Sequence, residues 1–359
     1  MARSWFCASH VRRQSNRGQL LRVSAVLALI SFILVGCIRD TSSSSVTGGE
    51  IRTLFPVTVD GKVGYINRTG ELVVNPQFDY AGDFYEGLAA ASIGSSYGYI
   101  DEKGTFAINP QYENVGAFSD GLAWIEVDDE YGFIDKTGKI VINPQFDEAY
   151  IFTEGLAMVQ VSEKAGYVDK TGKFVINPQF DWAYGFYEGL SGIAVRGRSG
   201  FIDKTGKIVI NPQFDSGSGF SEGLSRVGVS GRYGFIDKTG KIVINPQFDE
   251  AYIFAEGLAP VSIDEKWGFI DKTGKIVINP QFDDAWCYSE GLAAIQTGDK
   301  WGFIDKTGKI VINPQFDDVD TYHADDYVGV FRGGLAPVQL GDAWGYIDKT
   351  GKYVWNPTE

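Results

Sequence analysis

The dipeptide Asn-Pro returns at Asn75, Asn109, Asn143, Asn177, Asn211, Asn245, Asn279, Asn313 and Asn356, at one constant step until the last, which is longer. A glycine keeps the same phase at Gly64, Gly98, Gly132, Gly166, Gly200, Gly234, Gly268, Gly302 and Gly345. A period this long and this regular means that one supersecondary unit is stacked on copies of itself. It overrides the two domains that 359 residues would otherwise suggest. The string FIDKTGKIVINPQFD is identical five times, beginning at Phe133, Phe201, Phe235, Phe269 and Phe303, which points to recent duplication.

Within the unit that starts at Leu258, residues 258–263, 267–271 and 275–278 read as three strands. Asp271-Lys272-Thr273-Gly274 has the form of a turn in which the aspartate accepts amide bonds and the glycine takes the left-handed position. Pro280 has no amide to donate, so the third strand is expected to stop there. Ile276, Val277 and Ile278 are all apolar, so that strand is expected to be covered on both faces. In the connector that follows, Phe282 and Tyr288 repeat the offsets of Phe248 and Phe254 and are read as plugs between units.

Composition supports an all-β chain: 45 glycines and 50 aromatic residues stand beside only 2 methionines. The repeat region, 54–357, divides into nine three-stranded β-meanders and eight connectors, with an insertion near 318–333. Closed propellers are usually built from about four to eight blades of roughly 40 residues or more. The repeat here is shorter and its copies more numerous. The sequence therefore favours an open, curved, solenoid-like array, with a closed β-propeller-like ring as the alternative.

Before the repeats, Arg3, Arg12, Arg13, Arg17 and Arg22 precede an uncharged run from Val23 to Gly36 that is too short to span a bilayer. The run ends in Leu34-Val35-Gly36-Cys37, which resembles the lipobox of bacterial lipoproteins. The resemblance implies a signal peptide over 1–36, lipid attachment at Cys37, and a polar tether over 37–53 rich in serine and threonine. Loss of the five arginines moves the formal charge from −14 to −19, leaving 27 basic against 46 acidic residues. Such a body repels phosphate backbones, so nucleic acid is excluded as a partner. The residue after the cysteine is Ile38 rather than aspartate. By the family's rule of thumb this implies export to an outer membrane or cell surface rather than retention at an inner membrane.

Lys266-Trp267-Gly268-Phe269-Ile270-Asp271 and Lys300-Trp301-Gly302-Phe303-Ile304-Asp305 resemble the signature of bacterial WG, or KWG, repeat proteins. Tyrosine replaces the tryptophan at Tyr97, Tyr131 and Tyr233, and Val63, Ala165 and Ser199 abandon the aromatic. The resemblance covers about residues 54 to 357. It implies a strand-rich superstructure on exported proteins and no established catalytic residues.

An enzyme needs its acid and its nucleophile once, in one perturbed pocket, whereas a turn needs its aspartate in every copy. The recurring Asp-Lys pairs at Asp135, Asp169, Asp203, Asp237, Asp271, Asp305 and Asp348 are accordingly read as turn openers. No catalytic residue, metal site or cofactor is expected. The acidic loop Asp128-Asp129-Glu130 lacks calcium-loop spacing, Cys287 fills a small apolar slot, and His323 sits in an acidic insertion read as solvated.

Binding positions are expected where copies differ within a fixed frame. The loop before each aromatic-glycine pair differs, from Asp60-Gly61-Lys62 to Ser230-Gly231-Arg232. So does the position holding Tyr150, Tyr184, Tyr252 and Trp286, whose rings are the candidate ligand contacts if they do more than seal the inter-unit core. The expected function is that of a non-catalytic, lipid-anchored envelope protein whose β-repeat surface binds a protein or envelope component. The alternative is a carbohydrate-binding module using those aromatics.

Overall fold

A computed structural model of the chain describes residues 54–320 and 330–358. Cys37, the tether, the signal segment and His323 lie outside the described residues. The described residues form nine small antiparallel sheets in sequence order, set in a ring that resembles a nine-bladed β-propeller. Eight sheets have four strands and the first has three.

Blade 7 shows how so short a repeat suffices. Its strands are Glu250–Ala251, Leu258–Ile263, Lys266–Asp271 and Ile276–Phe282, paired in that order. The segment read as a connector is the first strand: Ala251 pairs with Val261, and Ala255 with Leu258. The first two turns use only two residues each, Glu256-Gly257 and Asp264-Glu265, all at positive φ. Such turns match the twist of the strands and leave no loop to spare. The three-stranded unit is therefore corrected to a four-stranded blade, and the greater blade length usual in propellers is not required.

The fourth strand corrects two further expectations. It continues through Pro280 to Phe282, because the proline sits in an arch that leaves the pairing ladder. Trp267 pairs with Phe282 and Phe269 with Ile278, so two steps of the third strand face four of the fourth. A Cβ on Gly268 would lie 2.5 Å from the Ile278 carbonyl oxygen and 2.6 Å from the Pro280 nitrogen. The periodic glycine and the periodic Asn-Pro are thus two sides of one contact: the arch rests on a backbone that carries no side chain. A second bulge sets Ile270 opposite Ile276. It turns Val277 away from the sheet, so Ile276 and Val277 are 40% and 43% exposed while Ile278 is 4% exposed. The strand is covered at Ile278 and open at the other two positions.

Each hydrophobic cluster joins neighbouring blades. Between blades 7 and 8, Trp267, Phe269, Ile278 and Phe282 pack with Ala285, Tyr288, Ile295 and Ile304. Phe282 and Tyr288 are the plugs read from sequence, with the Tyr288 ring 5.0 Å from that of Phe269. Gly274, at φ +84°, brings its turn against Ile244 of blade 6.

An open array of nine sheets has eight such seams, and the ninth is present. Phe55, Val57 and Ile66 of blade 1 are buried against Leu335 and Tyr346 of blade 9. Tyr346 Oη donates to the Pro56 carbonyl at 2.9 Å. The closed ring named as the alternative therefore replaces the favoured open array, because burying both end blades removes two apolar sheet faces from water.

Candidate functional face

Strand direction sorts the turns onto two faces. The Glu-Gly and Asp-Lys-Thr-Gly turns share one face, and the two-residue turns between second and third strands lie on the other.

On the first face the recurring aspartate, lysine and glutamate hold turns and tie blades together. Asp271 Oδ1 accepts from Thr273 N at 2.9 Å, Thr273 Oγ1 at 2.6 Å and Lys275 N at 3.1 Å. Those bonds, the threonine hydroxyl first, hold its carboxyl below the usual range. Lys272 reaches back to blade 6, where its Nζ lies 3.0 Å from both the carbonyl and a carboxylate oxygen of Glu222. Glu222 also accepts from Gly257 N of blade 7 at 3.0 Å. The same lysine–glutamate tie recurs at Lys136–Glu86, Lys204–Glu154, Lys238–Glu188, Lys306–Glu256 and Lys349–Glu290. The sequence marks the aspartate as a turn opener but not the lysine as a tie, because the partner stands more than one repeat earlier and shows only once the blades are stacked.

The opposite face has its own tie. Asp283, between blades 7 and 8, binds Lys266 Nζ at 2.5 Å and accepts from Gly298 N at 2.6 Å in the variable turn of blade 8. Lys266 first and Gly298 second pull its carboxyl below the ordinary range. This accounts for the lysine of the Lys-Trp-Gly signature. At blade 3 the pattern lapses, because Glu130 occupies the basic position and Glu113 replaces the aspartate. Glu113, Glu126 and Asp129 bring carboxylate oxygens within 4.8 Å of one another there, and burial raises the Glu126 carboxyl. In blades 5 and 6 Arg198 and Arg232 take the basic position of the tie and pair with Asp215 and Asp249, while Arg196 stands in the turn itself, so the turns differ in charge from blade to blade.

The four candidate aromatics sit at one repeat position but in different surroundings. Tyr252 is sandwiched, with Trp267 stacked on one side at 4.7 Å and Trp286 on the other at 5.2 Å. Trp286 packs against the cluster between blades 8 and 9. Tyr150 meets Trp182 edge to face at 5.5 Å and packs on the core between blades 4 and 5. Tyr184 differs, being 38% exposed. Cys287 is fully buried, with its thiol 3.4 Å from the Ile253 carbonyl oxygen, in the apolar slot expected for it.

No curated protein matches the chain. Among solved structures, a eukaryotic initiation factor is similar over 84% of this chain and 95% of its own, with a TM-score of 0.60 at 10% identity, a likeness of fold alone. Dihydro-heme d1 dehydrogenase NirN in complex with DHE is similar over 92% of this chain and 78% of its own, at 13% identity and a TM-score of 0.48. The family model described as "WG containing repeat" matches eight successive segments, at residues 64–95, 97–131, 131–164, 166–198, 200–233, 233–267, 267–301 and 301–325. With the matches spanning most of the chain, and with the glycine they share seated under the Asn-Pro arch in blade after blade, this protein belongs to the WG-containing repeat family.

Proposed function

We propose that the protein is a non-catalytic binding scaffold, held at a membrane by lipid on Cys37, that presents the face of variable turns to a protein or envelope component. The observation that carries this reading is the contrast between the two faces. One repeats the same aspartate, lysine and glutamate ties around the ring, which commits those groups to holding blades together. The other keeps a two-residue turn whose first residue is at positive φ in every blade and changes its side chains from Asp128-Asp129 to Arg196-Gly197, the pattern of a frame that carries recognition. The export-type segment and the lipobox-like Leu34-Val35-Gly36-Cys37 support the anchor.

The test is an affinity pull-down from membranes with the mature protein, repeated with Asp128-Asp129 and Arg196-Gly197 each replaced by Asn-Gly. These replacements keep both positive-φ positions. The reading expects a component captured by the parent and lost from at least one variant of unchanged fold. Capture by all alike would move recognition off this face. Cys37→Ser is expected to abolish lipid labelling and release the protein from membranes.

A carbohydrate-binding reading draws on Tyr184, whose exposed ring has the character of a sugar-stacking platform. Sugar binding on a glycan array that is lost with Tyr184→Ala would favour it over protein recognition.

A further inference from the structure

We propose that the ring is a clasp with one opening joint, the seam between blades 9 and 1, and that Arg332 is its latch. At regular seams the first strands of adjacent blades touch directly. Ser221 Oγ donates to the Phe254 carbonyl at 2.7 Å, and Phe186 N donates to Thr153 Oγ1 at 2.9 Å. Among the described residues blade 1 has no first strand, and Arg332 of blade 9 reaches past it to the first-strand segment of blade 2. Arg332, at the position held elsewhere by Ala255 or Ser289, spans that interval: its Nη1 pairs with Asp83 Oδ2 and donates to Tyr85 Oη at 3.2 Å. Asp83 in turn stands where other blades carry Ala117, Ile151 or Ile253. This ion pair therefore belongs to the joint and not to the repeat.

The rest of the joint has been rebuilt from side chains of the second strand. Phe55 occupies a position that is alanine or serine in the other eight blades, and its ring lies 5.5 Å from that of Tyr346. In blade 7 that plug is Phe254, between the first strand and its turn, 4.8 Å from Phe235 of blade 6. Tyr346 donates to Pro56 O, whereas Tyr65 and Tyr99 donate to Gly82 and Gly116 just beyond the short first strand of the next blade. Gly333 stands at the turn position of Glu256 and Glu290, so the glutamate ties to glycine and lysine cannot form here. Arg332 is 45% exposed and Asp83 15%. Water has access to the arginine side of the latch, and an ion pair in that setting holds only modestly. Opening would part the apolar side chains of Phe55–Val59 from Leu335 and Tyr346, and that strand is already the edge of its sheet among the described residues, the kind of edge that accepts an added strand.

Hydrogen exchange read by mass spectrometry on the mature full-length protein tests the clasp. Amides of Phe55–Val59 and Ala343–Asp348 are expected to exchange at least tenfold faster than those of Leu258–Ile263 and Lys266–Asp271. Arg332→Met is expected to quicken the first pair about threefold further and leave the second unchanged. Arg332→Asp combined with Asp83→Arg is expected to restore the parent rates. Equal protection of both regions in the parent protein overturns the proposal. So does an Arg332→Met variant that changes neither region, or both alike.

Discussion

The seam between blades 7 and 8 and the seam between blades 9 and 1 do the same job by different means. The first buries ten side chains in one cluster and adds Asp283, Glu256 and Lys306 as polar ties. The second buries five and relies on Phe55 against Tyr346, one tyrosine hydroxyl and the Arg332–Asp83 pair. A duplicated array closes into a ring only through such a joint. Interior seams need only copy themselves, whereas the joint must be composed from residues that break the repeat. In blade 1 the bulky plug is Phe55, where the other blades carry alanine or serine, and a charge stands at Asp83, where other blades are apolar or small.

The harshest way to break the comparison is to leave the joint without its partner. Truncation after Phe248 removes blades 7 to 9 and exposes the facing surfaces of blades 6 and 1. We expect aggregation or loss of the folded state, read by light scattering and circular dichroism. A soluble, monomeric, strand-rich fragment would mean that the joint contributes little.

Phe55→Ala acts on the joint alone. Removing this buried ring is expected to cost about 3 to 4 kcal/mol, the usual range for such a change. Chemical denaturation should report that loss. Phe282→Ala, at the interior seam, removes an equally buried ring and is expected to cost a similar amount, with proteolysis then starting in blades 7 and 8 and not at the joint. First cleavage at the same place in both variants would remove the distinction between the seams.

Gly268→Ala addresses the interior frame. The added Cβ meets backbone atoms at 2.5 to 2.8 Å, which cannot step aside without moving the Asn-Pro arch. A destabilisation of about 2 to 3 kcal/mol is expected, in the range of overpacked cores. Proteolysis should start in blade 7. Cleavage first at the blade 9 to blade 1 joint would show that strain travels round the ring.

The smallest effects separate two neighbouring carboxylates by pH. Burial pushes Asp284 up to about 6, offset in part by its bond from Ala285 N. A raised acid lowers stability as pH climbs from about 4 to 6, and the deficit stays constant above that. Asp284→Asn should therefore stabilise by about 1 kcal/mol at pH 7 and by nothing near pH 3.5. Asp283 has the opposite sign, because its depressed carboxyl stabilises above the ordinary range and loses that contribution as pH falls below about 4. Asp283→Asn should cost a few tenths of a kcal/mol at pH 7, as exposed pairs do. Thermal melts at the two pH values check both signs.

The unit is legible because its signals are local. Asp271 through Gly274 announces a turn within one short stretch of chain, and Phe282 and Tyr288 repeat an apolar offset that only a buried plug needs. Signals that depend on stacking are not legible. Lys272 and Glu222 lie in different repeats, and nothing local marks them as partners. The first strand reads as a connector because Glu250–Ala251 pairs only briefly before the chain irregularly follows its neighbour. Pro280 reads as a stop because an arch that carries a proline past the ladder cannot be inferred from the proline alone. Exposure of Ile276 and Val277 follows from two bulges whose evidence is register. Closure is hidden for the same reason: Phe55 looks like one more apolar residue until Tyr346, from the far end of the repeat region, lies against it. Among the candidate aromatics, Tyr184 and Tyr252 have equal standing by repeat position, and only packing separates an exposed ring from a sandwiched one.

Closure itself is open to a direct distance measurement. Spin labels on cysteines at Asp60 of blade 1 and Asp342 of blade 9, both in exposed turns on the same face, report it by pulsed dipolar spectroscopy in a Cys7→Ser, Cys37→Ser background with buried Cys287 left in place. Adjacent packed sheets lie about 10 Å apart, so a closed ring predicts a narrow distribution within roughly 10 to 30 Å once label length is included. An open stack of nine sheets would spread the same pair over roughly 50 to 80 Å by the same spacing, and that result would contradict the ring.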